Sequence, residues 1–153
     1  MSLLIIKAKP NPLGKDRTAY GFVPAIQLAA EWVDFQNVVQ NSINLNGVQL
    51  YHWAYTNGKN EWQLAIELSG PLKPGEIVRI HSGGQIPLEQ MRYEDRVGVN
   101  YHLFTGKNYI WNNKQKDHPS LWYKPTQQWI DQTEYEAYPI EGKILQRYGN
   151  KLI

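Results

Sequence analysis

The stretch Trp62-Gln63-Leu64-Ala65-Ile66-Glu67-Leu68 decides how this chain is read. In an extended backbone Trp62, Leu64, Ile66 and Leu68 fall on one side and Gln63, Ala65 and Glu67 on the other, which predicts a strand with one buried face. Val97 to Leu103 alternates in the same way, with Val97, Val99, Tyr101 and Leu103 expected inward. Shorter apolar runs lie at Glu31 to Phe35, Val48 to Tyr55, Ile77 to Ile80, Leu121 to Tyr123 and Trp129 to Tyr135. Turn chemistry separates them. Asn46-Gly47 and Asn57-Gly58 accept positive φ, and Pro74-Gly75 presets a type II turn. Asn57-Gly58 is expected to close a hairpin between the runs on either side of it. The nearest approach to a helical period is Pro24 to Glu31, so helix should be scarce. The pattern is that of an all-β chain folded as an antiparallel sandwich. Two long irregular stretches, Pro10 to Leu28 and Ser82 to Asp95, are the loops in which function would sit.

A chain of 153 residues with 42% hydrophobic and 20% charged residues is expected to form one globular domain over 1–153. The apolar run Leu3 to Ile6 is too short to cross a bilayer and lacks the h-region of a signal peptide, so no membrane span and no signal peptide are read here. The compartment stays open. The absence of cysteine excludes disulfides, thiolate zinc sites and cysteine nucleophiles together. A formal charge of +2 without any lysine or arginine run does not suit a duplex-DNA binder. Six tryptophans and ten tyrosines stand out, and such residues serve strands, cores and binding faces alike.

Several segments follow one another in a distinctive order: Pro10 to Asp16, Glu31 to Asn37, Ile43 to Leu50, Leu72 to Val78, Trp111-Asn112-Asn113, and Trp129 to Tyr135. This order resembles the lamin-tail domain in its bacterial form, over Ile5 to Tyr148. An acidic-aromatic-valine strand leads to an asparagine, a leucine-x-glycine step follows, a leucine-x-proline-glycine turn opens the next strand, and a double asparagine precedes the last strands. Val48 stands where the family carries an aromatic, Lys114 to Asp117 replace its glycine-aspartate, and Ser82 to Tyr101 is longer than its pattern. The resemblance implies an immunoglobulin-like sandwich without an active site. The function it implies is that of a noncatalytic interaction module, binding protein or a second copy of itself.

The residues that carry chemistry point the same way. His52, His81, His102 and His118 show no metal-ligand spacing, and no serine has a nucleophile's setting. His118 alone adjoins a carboxylate, Asp117. His81-Ser82-Gly83-Gly84 reads as a flexible turn rather than an anion cradle. Glu134 and Glu136 share a strand face with Gln128 and Gln132, the solvated side of a half-buried strand. Asn11 and Asp16 offer too few oxygens for calcium, with Lys15 and Arg17 opposing a cation. No enzyme activity, metal or cofactor is expected. The alternative functions are single-stranded nucleic-acid binding and carbohydrate binding. For the first, Lys107, Lys114, Lys116 and Lys124 interleave with Tyr109 and Trp111, and also with Trp122 and Tyr123, a mixture that serves charge and stacking. For the second, the tryptophans would stack on sugar rings. Exposure of Trp53, Trp111, Trp122 and Trp129 separates these readings: buried rings mean scaffold, whereas a coplanar exposed row beside Lys114 and Lys116 means stacking.

Overall fold

The computed structural model describes residues 2–153 and is mostly strand, with helix confined to short segments. In chain order the strands are β1 (Leu3–Lys9), β2 (Trp32–Asn37), β3 (Ile43–Asn44), β4 (Val48–Thr56), β5 (Lys59–Glu67), β6 (Pro71–Leu72), β7 (Ile77–His81), β8 (Tyr101–Phe104), β9 (Ser120–Tyr123), β10 (Gln128–Gln132), β11 (Leu145–Tyr148) and β12 (Lys151–Leu152). The helices are α1 (Ala25–Ala29) and α2 (Tyr93–Arg96). One sheet has the order β12-β11-β1-β2-β7-β8, a second β10-β9-β4-β5, and β3 pairs with β6. Ile5, Val33, Phe35, Val78 and Ile80 of the first sheet and Val48, Leu50, Ala65 and Leu121 of the second join in one buried cluster. Apolar area from both sheets thus leaves water together, the dominant favourable term of folding. No helix is long and apolar enough to cross a membrane.

The turn chemistry behaves as expected. Asn57 at φ 50° and Gly58 at φ 75° close the β4–β5 hairpin, and Gly75 at φ 78° follows Pro74 at the turn before β7. β1, β3, β6, β11 and β12 lie outside the runs expected as strands.

Three expectations need correction. In β5, Leu50 faces Ile66 but Tyr51 faces Leu64, so Ala65 is the extra residue of a β-bulge. Ala65, Ile66 and Leu68 all turn to the core, while Trp62 and Leu64 lie on the outer face opposite Trp53 and Tyr51. The seven-residue strand expected from Val97 to Leu103 is only Tyr101–Phe104. α2 and Gly98 at φ 88° occupy the chain just before it, and Val97 and Tyr101 are exposed. β8 also runs parallel to β7, an exception to the antiparallel expectation.

The reason lies in the 19 residues between β7 and β8, which fold back over the outer face of the first sheet. Trp32 and Asp34 alternate away from the core side chains Val33 and Phe35, yet both are buried. Arg79 forms a two-pronged pair with Asp34, its Nε donating to Oδ1 at 2.7 Å and its Nη2 to Oδ2 at 2.8 Å. Arg79 stacks 3.6 Å from the centroid of the Trp32 ring. Its Nη1 donates to the carbonyls of Glu94, Asp95 and Val97, each at 3.1 Å. Lys9, wholly buried, reaches Asp95 Oδ1 at 2.7 Å and Glu94 Oε1 at 2.6 Å, and Trp32 Nε1 donates to the same Asp95 oxygen at 2.8 Å. Buried charges persist only when paired and hydrogen-bonded, and here each one holds the returning chain down.

On the opposite flank Asp131 accepts the Ile5 N–H at 2.8 Å and pairs with Arg147, which donates to the Ile5 carbonyl at 2.7 Å. This ties β10 of the second sheet to the bulge in β1. Replacing Arg79 by alanine strands the Asp34 carboxylate and frees the returning segment. Urea unfolding of Arg79→Ala is expected to show a loss of about 3–5 kcal/mol, with Arg79→Lys recovering part of it; a negligible loss contradicts the assignment.

Candidate functional site

The six residues singled out between Lys107 and Lys124 go to separate places. Trp111 is only 4% exposed, inside the core and edge-on to His52. The Tyr109 hydroxyl donates to the Asp16 carbonyl at 2.9 Å, and burial pushes its pKa upward. Lys107 donates to the Leu64 carbonyl. Lys114 is exposed, Lys116 pairs with Glu134 at 2.7 Å, and Lys124 lies 3.7 Å from Glu67. Glu134 and Glu136 sit in a small surface ion cluster with Lys116 and Lys151.

The other polar candidates have structural partners. Asp117 is fully buried, and its carboxylate accepts the backbone N–H groups of Trp53, Asn112 and His118 and the Asn112 side-chain amide. It is the clamp that holds the double-asparagine loop to β4. His81-Ser82-Gly83 is buried rather than a flexible turn: Gly83 N donates to the Lys107 carbonyl at 2.7 Å, and a Cβ on Gly83 would stand 2.9 Å from Leu28 Cβ. The Ser82 hydroxyl donates to Glu31 Oε1, which also accepts the Ile110 N–H at 3.1 Å. Burial raises the Glu31 pKa to about 8, against the pull of those hydrogen bonds. His81 faces the Ala29 carbonyl through Nδ1, which therefore carries its proton; its Nε2 lies 2.7 Å from His102 Nδ1, and His102 Nε2 lies 3.0 Å from the Arg96 carbonyl. Burial lowers the His81 pKa to about 3. Among the described residues no three histidines or acids gather closely enough to hold a metal ion.

What the tertiary fold does assemble is an aromatic layer on the outer face of the second sheet. Tyr51 and Trp53 alternate along β4, Trp62 follows on β5, Trp122 is on β9, and a bulge between Trp129 and Asp131 sets Trp129 outward on β10 while Ile130 packs inward. Trp62 and Trp129 come from the two edge strands of this sheet, yet their ring centroids stand 4.6 Å apart above its centre. Trp122 meets Trp129 at 4.7 Å and Trp53 meets Trp62 at 5.0 Å, both edge to face, and His118 closes on Trp53 and Trp62. The rings are half-buried by one another. They form neither a buried scaffold nor a coplanar row beside Lys114 and Lys116. Sequence alternation through Gln49, Tyr51 and Trp53 carries this signal; the Ala65 bulge hides the contribution of Trp62.

A second surface lies on the loops at residues 10–23 and 138–142. Gly142 N donates to the Asn11 carbonyl at 2.6 Å, Asn11 Nδ2 to the Pro139 carbonyl at 2.9 Å, and Gly14 N to Glu141 Oε1 at 2.9 Å. On this joined framework Leu13 is 62% exposed, Tyr20 90%, Phe22 72%, Tyr138 76% and Ile140 67%. The turn that carries Tyr20 is ordered, since Thr18 N donates to Phe22 O at 2.8 Å and Gly21 N to Thr18 O at 2.9 Å.

No protein-family model matches the chain, and no curated protein shows significant similarity to it.

The shifts of Glu31 and His81 predict a pH profile. Glu31 holds its proton to about pH 8 when folded, against 4.5 ordinarily, so its contribution to stability declines as pH rises across that window. His81 is neutral down to about pH 3 when folded, against 6.5 ordinarily, so its contribution declines as pH falls across its own window. Above pH 6.5 the Glu31 slope is no longer opposed by His81. Unfolding free energy is expected to fall between pH 6.5 and about 8, and Glu31→Gln to flatten that fall; a wild-type profile already flat there contradicts the assignment.

Proposed function

We propose that this chain is a noncatalytic interaction module of lamin-tail type, an immunoglobulin-like β-sandwich that docks a protein surface through the loops at 10–23 and 138–142. The observation that carries this reading is the exposure of Leu13, Tyr20, Phe22, Tyr138 and Ile140 on loops held in place by their own hydrogen bonds. Exposed apolar groups on a flexible tail cost little. On an ordered framework they keep apolar area in water permanently, and that area is recovered when a partner covers it. The preformed turn at Thr18 to Phe22 lowers the entropy lost on docking. The order of motifs from Ile5 to Tyr148 supports the lamin-tail assignment. Glu31, Asp117, Glu134, His81 and Ser82 are held by backbone groups, hydrogen bonds and ion pairs, which supports a chain that binds rather than reacts.

The partner is another protein or a second copy of the chain, and one experiment reads both. Light scattering of the purified chain and capture of partners on the immobilised chain are expected to show association. A Leu13→Ser, Phe22→Ser double variant should abolish it, whereas Tyr148→Ser, at an exposed tyrosine on β11, should not. A monomer that captures nothing, or association insensitive to the double variant, refutes the reading.

A further inference from the structure

We propose that the aromatic layer of the second sheet, together with the cleft beside it, is a binding site for an uncharged oligosaccharide. Tyr51, Trp62, Trp122 and Trp129 line a shallow depression of about 240 Å³. Trp129 also lines a second cavity of about 300 Å³, whose wall includes Tyr123, Asn44, Thr126 and Gln128. The two share the Trp129 indole in their walls.

The lining selects the ligand. None of the described residues that line either cavity carries a charge. Lys124, next to Tyr123 in the chain, lies 3.7 Å from Glu67, and Glu67 Oε1 also accepts from Gln49 Nε2 at 2.8 Å. A polyanion such as single-stranded nucleic acid finds no unpaired cation in this lining, although its bases are able to stack. Asn44 Oδ1 accepts the Asn46 N–H at 3.0 Å and Thr126 Oγ1 donates to Gln128 Oε1 at 3.4 Å, and a purely apolar ligand leaves the remaining donors and lone pairs of these groups unmatched. These groups both donate and accept, as sugar hydroxyls do, whereas a proline-rich peptide offers acceptors almost alone. A pyranose ring combines an apolar C–H face, suited to indole, with such hydroxyls around its rim. The site is separate from the docking loops, so either assignment can fail without the other.

The test is calorimetric titration of the whole chain with neutral hexasaccharides of glucose, mannose, xylose and N-acetylglucosamine. Oligogalacturonate, oligo(dT) and a proline-rich peptide serve as the competing classes. At least one neutral sugar is expected to bind, with an affinity unchanged by salt because no counterions are released. Trp129→Ala should weaken binding by at least about tenfold. Gln128→Ala, at an exposed side chain, should also weaken it, and keeps the test valid if the tryptophan variant fails to fold. The proposal is overturned if no neutral sugar binds, if binding ignores Gln128→Ala and Trp129→Ala, or if the anionic oligomers or the peptide bind in preference. The Leu13→Ser, Phe22→Ser variant should bind sugar as the wild type does, which keeps this result apart from the fate of the protein-docking reading.

Discussion

The Arg79 guanidinium is the interaction on which the arrangement of the first sheet depends. It satisfies a buried carboxylate on the neighbouring strand, lies over the Trp32 ring, and spends its remaining donors on three carbonyls of a segment that would otherwise be a solvated loop. Lysine has the charge but not the planar fork, so it cannot make all of these contacts at once. Lys9 and Asp95 extend the same logic one strand further. A well-satisfied network of this kind fixes a single arrangement of the chain; here, among the described residues, only Asp95 Oδ2 of its buried side-chain atoms lacks a partner. That is how residues between β7 and β8 come to act as part of the fold.

The two outer faces of the molecule then diverge. The first sheet hides its face under its own chain, with charges and a tryptophan sealed beneath. The second sheet has only its aromatic side chains, leaning over one another from both edges toward the middle. Edge-to-face packing recovers part of the apolar area and leaves the rest half-exposed. Ring clusters of this sort stay ordered without a ligand and lose little freedom when one arrives. Opportunity for binding is therefore concentrated on the uncovered sheet and on the hydrogen-bonded loops.

The buried titratable groups are engaged in holding segments of the chain together. Glu31, His81 and Asp117 are buried, but each sits against backbone groups or a neighbouring side chain that it positions. Glu31 and Ser82 fasten the chain after β7 to the chain before Trp111, and Asp117 fastens the double-asparagine loop to β4. Desolvation shifts the pKa values of Glu31 and His81 strongly, and the consequence is pH-dependent stability.

The sequence by itself determined where β2, β4, β5, β7, β9 and β10 lie and where the chain turns at Asn57-Gly58 and Pro74-Gly75. A period of two and the positive φ of Asn57, Gly58 and Gly75 are local properties, fixed by neighbouring residues alone. β1 escaped because its run is short and interrupted by Lys7 and Lys9, the second of which is buried only through a partner 86 residues away. The tertiary structure alone decided which face each residue serves. One extra residue at Ala65 sends Trp62 outward, another at Ile130 frees Trp129 from the core, and the two rings meet although they lie 67 positions apart in the chain. Alternation assigns sides within a strand, but a bulge changes the assignment, and bulges answer to packing across the sheet. The docking of the 82–100 segment onto the first sheet was equally illegible, because it rests on ion pairs and hydrogen bonds to distant strands that no local pattern encodes.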